Sequence, residues 1–281
     1  MISYKELKPK HAILQNYIHL YTYSLGSLES TSNKYITRAF PTFHTQFYFE
    51  FYGNIGKLQT KDDSTIITKR TYVNSGVGDW FDIYEIKSDK NNIPIKNFKV
   101  DFLPHTLFEI FQVSPKELIN QDLKVEDIWS DKNECRIMLE KMEASISGEE
   151  MIKIFEEYFL KLLEKRVKQT NPYLPLFLRY NSSLEDFSKE LGYSRRWVQK
   201  EYQKIFGLSF KELHGNMRFL RTLQHIEHFI SLHQSINFSL LAIECNYYDQ
   251  AHFIKEFKKY SGMTPKEYIS TKYKGQVLFY W

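Results

Sequence analysis

Apolar and polar positions alternate in short runs over the first hundred residues, then switch to a spacing of three and four. Tyr17–Tyr23, Thr45–Tyr52, Thr65–Val73, Trp80–Ile86 and Asn97–Leu103 are rich in aromatic and β-branched residues, which favour strands. Turn residues separate them at Gly53–Gly56, Lys61–Ser64 and Gly76–Asp79. This spacing predicts a small antiparallel barrel or sandwich. After Pro104 the pattern changes: His105–Phe111 reads as one or two helical turns, and Ser114-Pro-Lys-Glu117 has the residues of a capped helix start. Helices are expected near 131–145 and 148–168. The second carries an apolar stripe of Ile152, Phe155, Phe159, Leu162 and Leu163, which would pack on the barrel or offer a dimer face. Lys168–Leu176 breaks the period with two prolines and reads as a linker, with a helix resuming near Leu174.

Beyond it one arrangement occurs twice. Ser183-Leu-Glu-Asp186 is a capping box opening a short helix with Leu184, Phe187 and Leu191 on one face. Gly192-Tyr193 turns the chain, and Ser194 caps a helix with Val198, Tyr202 and Ile205 inward. Ser209-Phe-Lys-Glu212 opens a long helix with Leu213, Met217, Leu220, Leu223 and Ile226 as its buried face. Leu240, Leu241 and Ile243 then make a second short helix, and Asp249 starts another with Phe253 and Phe257 inward. Thr264-Pro-Lys-Glu267 repeats the cap, and Tyr268 closes the core. A short helix, a tight turn and a basic amphipathic helix together can place a helix in a DNA major groove.

Charge points the same way. Residues 170–281 hold 15 Lys and Arg against 10 Asp and Glu, so the net charge of +4 belongs to the C-terminal part. A basic module beside a near-neutral one suits a polyanion reader attached to something else. Cys135 and Cys245 are too few for a disulfide framework or a cysteine zinc site; both read as buried hydrophobes in a reduced cytoplasm. The first ten residues lack the apolar core of a signal peptide, and no run is long enough to span a membrane. His225, His228 and His233 form no carboxylate-supported triad, and His44 and His105 lack the spaced pattern of a metal barrel. No phosphate loop, nucleophile elbow or catalytic carboxylate pair stands out. No metal, cofactor or catalytic residue is therefore expected.

Residues 171–270 resemble the DNA-binding domain of AraC/XylS-type transcriptional regulators. The resemblance rests on Leu191-Gly-Tyr-Ser194, Ile205-Phe-Gly-Leu-Ser-Phe-Lys-Glu212, Arg218-Phe-Leu-Arg221, Tyr248-Asp-Gln-Ala-His-Phe253 and Phe257-Lys-Lys-Tyr-Ser-Gly-Met-Thr-Pro-Lys-Glu-Tyr268. Two positions depart from it. Asn246-Tyr247 stands where Gly-Phe is usual, and Ser239 where a bulkier residue is common. Asn is the next best residue for a left-handed turn. The N-terminal part more loosely resembles the cupin-like sensor domains of such regulators, through Phe102–Leu118 and Val125-Glu-Asp-Ile-Trp129; that likeness brings no ligand with it.

The resemblance implies an α+β chain: residues 1–167 a small β-barrel, cupin-like sensor or dimerisation domain with flanking helices, 168–175 a linker, and 176–281 an all-α domain of two helix-turn-helix motifs joined by a long helix. It implies a cytoplasmic, non-enzymatic, sequence-specific regulator of transcription. Recognition helices near 194–206 and 249–260 would enter successive major grooves of double-stranded DNA. Arg196, Gln199 and Lys200 on the first, and Gln250, His252 and Lys255 on the second, fall where the family contacts DNA; Arg195 lies on the same outer side as a further DNA-binding candidate, and Lys258 and Lys259 suit phosphate. Trp197 suits a core or interface anchor, and Arg218 and Arg221 either brace the joining helix or touch phosphate. A small-molecule effector in the barrel, RNA polymerase and a second copy of the chain are the expected partners, with no membrane. Two rival readings are a β-barrel enzyme tethered to a DNA module and a protein-interaction module without DNA binding.

Overall fold

In the computed structural model, residues 2–28, 36–42, 44–52, 57–60, 65–67, 71–75, 81–84, 93–118, 121, 123–166, 172–177, 183–273 and 277–280 are described. The expected turns at 53–56, 61–64 and 76–79, and linker residues 168–171, lie outside them.

The N-terminal part is built on two five-stranded sheets. The first contains β1 (Ile2–Leu7), β2 (Ile18–Leu28), β4 (Thr45–Tyr52), β7 (Thr71–Asn74) and β9 (Ile93–Phe102), in the order β1-β2-β9-β4-β7 and antiparallel throughout. The second contains β3 (Ile36–Ala39), β5 (Lys57–Thr60), β6 (Thr65–Ile67), β8 (Phe81–Tyr84) and β10 (Val277–Tyr280), in the order β10-β3-β8-β5-β6. The expected strands are present, with Thr65–Val73 divided between β6 and β7. Sequence patterning missed β1, β3, β5 and β10. The last lies beyond the final helix and pairs in parallel with β3, a contact between chain ends that local periodicity does not encode.

The central strands β4 and β9 of the first sheet are buried on both faces. Phe47, Phe49 and Phe51 on β4, and Phe98, Val100 and Phe102 on β9, point to one side and bury almost completely. There they meet α2 (Lys132–Ala144) and α3 (Gly148–Arg166), which follow the short α1 (Val125–Ile128). On α3, Phe155, Phe159, Leu162 and Leu163 are buried as expected, joined by Met151 and Tyr158, whereas Ile152 is only partly covered. Phe155 sits within 6.3 Å, ring to ring, of Tyr21, Phe49, Phe98, Phe102, Trp129 and Phe159. The other face is polar yet also buried. Gln46 donates to Asp101 at 2.7 Å, Asp101 pairs with Lys99 at 2.7 Å, and Tyr48 and Asn74 both donate to Gln46 Oε1. Alternation along β4 and β9 thus separates an aromatic layer from a hydrogen-bonded one.

The segment after β9 forms a π-helical turn at Leu107–Phe111 and a 3-10 turn at Pro115–Leu118, rather than the full helix that Ser114-Pro-Lys-Glu117 suggested. His105 is buried there, and its Nε2 lies 2.9 Å from the Asn16 carbonyl.

The C-terminal part is helical: α4 (Leu174–Phe177), α5 (Leu184–Leu191), α6 (Arg195–Phe206), α7 (Phe210–Ser231), α8 (Phe238–Glu244), α9 (Gln250–Ser261) and α10 (Pro265–Tyr273). It holds two separate cores. Phe187, Val198, Tyr202, Ile205, Phe206 and Leu213 make the first. Phe219, Leu223, Ile226, Phe253, Phe257 and Tyr268 anchor the second. Helix α7 contributes to both. Of its expected buried face, Leu213, Leu223 and Ile226 are buried, while Met217 and Leu220 stay partly open.

The sheet-bearing part touches both cores. Phe40, just after β3, packs within the second core, its ring 5.5 Å from Phe219 and 6.1 Å from Tyr268. Arg38 donates to the Ser261 carbonyl at 3.3 Å. Phe108 packs on the first core, with Lys204 Nζ 5.2 Å from its ring. Gly207, closing α6 at φ +72°, lies so near Pro115 and Lys116 that a Cβ would come within 2.7 Å of each.

Burial holds the His105 imidazole down at about 4, against the pull of the Asn16 carbonyl. The native state therefore excludes a proton that the unfolded chain accepts below ~6.5. This contribution to stability is complete above that value and is lost as pH falls towards 4. The urea midpoint should drop between pH 7 and pH 5, and less steeply in His105→Gln; equal slopes in both proteins would contradict this account.

Candidate DNA-binding surface

Each motif is set by local chemistry. In the first, Ser183 caps α5 and forms a reciprocal capping box with Asp186. Gly192 takes φ +68°, the left-handed turn that the sequence requires. Ser194 then accepts from the Trp197 N–H to start α6. In the second, Asn237 caps α8 and Asp249 accepts from the His252 N–H to start α9. Asn246 takes φ +60° between them, so the turn survives the change from glycine. Tyr247 is buried, with its hydroxyl 3.2 Å from that of Thr222. Ser239 donates to Gln250 Oε1 at 2.7 Å, so both departures from the family pattern have partners of their own.

The expected second short helix is α8, which carries Leu240, Leu241 and Ile243. Leu241 is buried, but Leu240 and Ile243 are 57% and 67% exposed; Ala242 and Cys245 fill the core instead. A seven-residue helix with its entry angle fixed by Asn237 turns a different arc inward than the run of apolar residues suggests.

On α6, Arg196, Gln199 and Lys200 stand exposed at helical spacing, with no ion-pair or hydrogen-bond partner among the described residues. Arg195 is exposed too, but its guanidinium reaches back 2.6 Å to Glu185 on α5. On α9, Lys255 and Lys258 are exposed, and Lys259 lies 4.9 Å over the Tyr260 ring. Gln250 is exposed and tied to Ser239. His252 is spent on the motif itself: Nδ1 accepts from the Tyr248 N–H at 3.2 Å, and Nε2 faces Glu256 at 3.6 Å. The same Glu256 binds Arg218 at 3.0 Å, and the Arg218 guanidinium lies 5.6 Å from the Tyr247 ring. Arg218 therefore braces α7 against α9, whereas Arg221 is exposed. Trp197 stacks on Tyr193 at 4.0 Å and meets Tyr173 edge-on at 5.2 Å, an anchor to the segment preceding the motif.

A stripe of cationic and imidazole side chains runs along α7. His214, Arg218, Arg221, His225 and His228 recur every three or four residues and line one wall of a cavity of about 1230 Å³. The facing wall includes His19, His44, Gln46, Lys99 and Asp101 from the first sheet and its connections. The spacing was legible in the sequence, but nothing in it said what the stripe would face. Among the described residues, no group of three His, Cys, Asp or Glu is arranged to hold a metal, and no helix is long and apolar enough to cross a membrane.

Residues 187–271 match the family model described as a helix-turn-helix domain, and this segment is an AraC-type helix-turn-helix domain. By that domain the chain is a DNA-binding transcription regulator. No curated protein matches the sequence. Among solved structures, ToxT from Vibrio cholerae in its P21 form is similar at 16% identity over 89% of this chain and 98% of its own, with a TM-score of 0.42. ToxT from Vibrio cholerae strain SCE256, with an unsaturated fatty acid bound, is similar at 15% identity over 89% and 94%, with a TM-score of 0.39. A DNA-binding transcriptional dual regulator from Escherichia coli K-12 shares 26% identity over 34% of this chain and 79% of its own, with a TM-score of 0.27. Likenesses this distant carry no argument about function.

The left-handed turn at Asn246 can be tested directly. Asn246→Gly should leave the thermal midpoint unchanged or raised, whereas Asn246→Val, which resists φ +60°, should cost about 1–2 kcal/mol. Equal melting of the two variants would show that the turn is not under that constraint.

Proposed function

We propose that the chain is a sequence-specific transcription regulator whose α6 and α9 enter successive major-groove segments on one face of the DNA. The observation that carries this reading is the repetition of one capped helix-turn-helix at both ends of a single joining helix. At ~1.5 Å per residue, the 22 residues of α7 span ~33 Å, close to the ~34 Å at which a groove face recurs.

In this reading residues 176–281 read DNA, 168–175 link, and 1–167 sense or dimerise. Arg196 and Lys200 suit guanine acceptors and Gln199 suits adenine. Arg195 joins them on release from Glu185. On α9, Gln250 and Lys255 take the equivalent places, and His252 contributes by holding the helix start, or by direct contact once its ring is freed. Lys258 and Lys259 meet phosphate. The activity is non-enzymatic and cytoplasmic, with RNA polymerase and a second copy of the chain as partners. A small-molecule effector acts through the N-terminal domain. The effector does not lie among the inward aromatic side chains: Phe47, Phe49, Phe98 and Phe102 are closed against α3.

Selection of genomic fragments by the purified protein at moderate salt should return a recurrent site spanning two adjacent major grooves. Weak binding that is blind to sequence would overturn the reading. On the selected site, Arg196→Ala and Lys200→Ala should each lose about 1–3 kcal/mol of specific binding and relax the preference at one position.

Lys258→Ala should behave differently. It should weaken all sequences alike and lower the slope of affinity against salt by about one. A change in base preference in this variant would move Lys258 from the phosphate to the base edges.

A further inference from the structure

Helices α6 and α9 are each preceded by a tyrosine in the same place. Tyr193 comes directly before Ser194, the cap of α6, and Tyr248 directly before Asp249, the cap of α9. The two side chains differ in what they touch. Tyr193 is 43% exposed, its ring stacks on Trp197 at 4.0 Å, and its hydroxyl lies 3.4 Å from that of Tyr173. Tyr248 is 90% exposed, and its ring and hydroxyl meet no partner among the described residues.

The backbone of Tyr248 is nevertheless firmly held. Asn246 fixes the turn at φ +60°, Tyr247 is buried beside it, and Asp249 caps the helix that follows. The Tyr248 N–H donates to Nδ1 of His252 at 3.2 Å, and Nε2 of that ring faces Glu256 at 3.6 Å. Lys255, three residues beyond His252, shares its side of α9. Tyr248 is thus fastened to the reading side of α9 at its N-terminal end, the end that a recognition helix presents to DNA. A tyrosine on a fixed backbone has only two side-chain torsions left to order on binding. Its hydroxyl is an uncharged donor, and the phosphate oxygens that flank a groove accept from such groups.

We propose that Tyr248 is a backbone clamp of the second motif: its hydroxyl donates to a DNA phosphate oxygen at the rim of the groove that α9 enters, and His252 is the residue that positions it. The inference rests on the DNA-reader reading above. It gives His252 a part in binding that needs no contact with a base. It also sets the two motifs apart, since the first uses its tyrosine for packing. Because the phenol is neutral, this contact releases no condensed counterion. Tyr248 therefore adds affinity that is blind to both sequence and salt, whereas Lys258 adds affinity that falls with salt.

Titration of the full chain onto its selected site and onto an unrelated duplex of equal length, across a range of salt, tests this. Tyr248→Phe removes only the hydroxyl from an exposed side chain, so its thermal midpoint should match the wild type. It should bind both duplexes about tenfold more weakly, with the slope of affinity against salt unchanged. Tyr248→Ala should add little to that loss. His252→Ala should weaken binding to a similar degree in the wild-type background and hardly at all in the Tyr248→Phe background, since losses through one shared contact do not add. His252→Asn, which keeps an acceptor for the Tyr248 N–H, should restore binding. Unchanged affinity in Tyr248→Phe, a change in its base preference, a lowered salt slope, or a His252→Ala loss that adds in full to that of Tyr248→Phe would overturn the proposal. A wild-type chain that binds no duplex loses the regulator reading and this inference with it. One that selects a site which Tyr248→Phe binds as tightly loses this inference alone.

Discussion

A helix-turn-helix unit has too little interior to bury its own apolar face, because a chain of about fifty residues sits at the lower limit for an independent core. Both units here are completed from outside. Helix α7 runs through the two cores and gives Leu213 to one and Phe219, Leu223 and Ile226 to the other. The sheet-bearing part supplies one more aromatic ring to each, Phe108 to the first and Phe40 to the second. Neither unit can therefore move without disturbing either α7 or the N-terminal contact.

That dependence fixes how the two motifs are held. Two recognition helices on rigid units bind two grooves only when their separation and rotation suit the DNA. The connection through α7 sets the separation. The contacts at Phe40, Arg38, Phe108 and Gly207 then tie the units to the sheet-bearing part of the chain. Packed side chains thus run from the sheet-bearing part into the cores of both motifs. The motif's own braces are short by comparison. Glu256 holds both His252 and Arg218, so α9 is locked to α7 by one carboxylate.

Much of the C-terminal architecture was readable residue by residue. Ser183, Ser194, Ser209 and Asp249 are caps in the sequence and caps in the structure, since a cap acts over three residues and needs nothing distant. The inward positions Val198, Tyr202, Phe253 and Phe257 followed from helical period alone. A short element leaves the inward face undefined by period: α8 has barely two turns, and of its apolar residues Leu241 is buried while Leu240 and Ile243 face solvent. His252, placed on the outer side of α9 by the helical period, has its ring against Tyr248 and Glu256, contacts that the period does not record.

The sequence by itself determined the identity of the reading domain, the caps and turns of its two motifs, the aromatic strands and the two helices laid on them. All of these depend on residues a few positions apart. Only the tertiary structure decided that β10 pairs with β3 across most of the chain's length, that Phe40 enters the core of the second motif, and that the stripe on α7 faces Lys99 and Asp101 across a cavity. The physical reason is one of range. Caps and periodicity are backbone and side-chain preferences acting within a turn or two. Pairing partners and cavities arise from which surfaces bury one another, a choice made among elements far apart in sequence that no local pattern records.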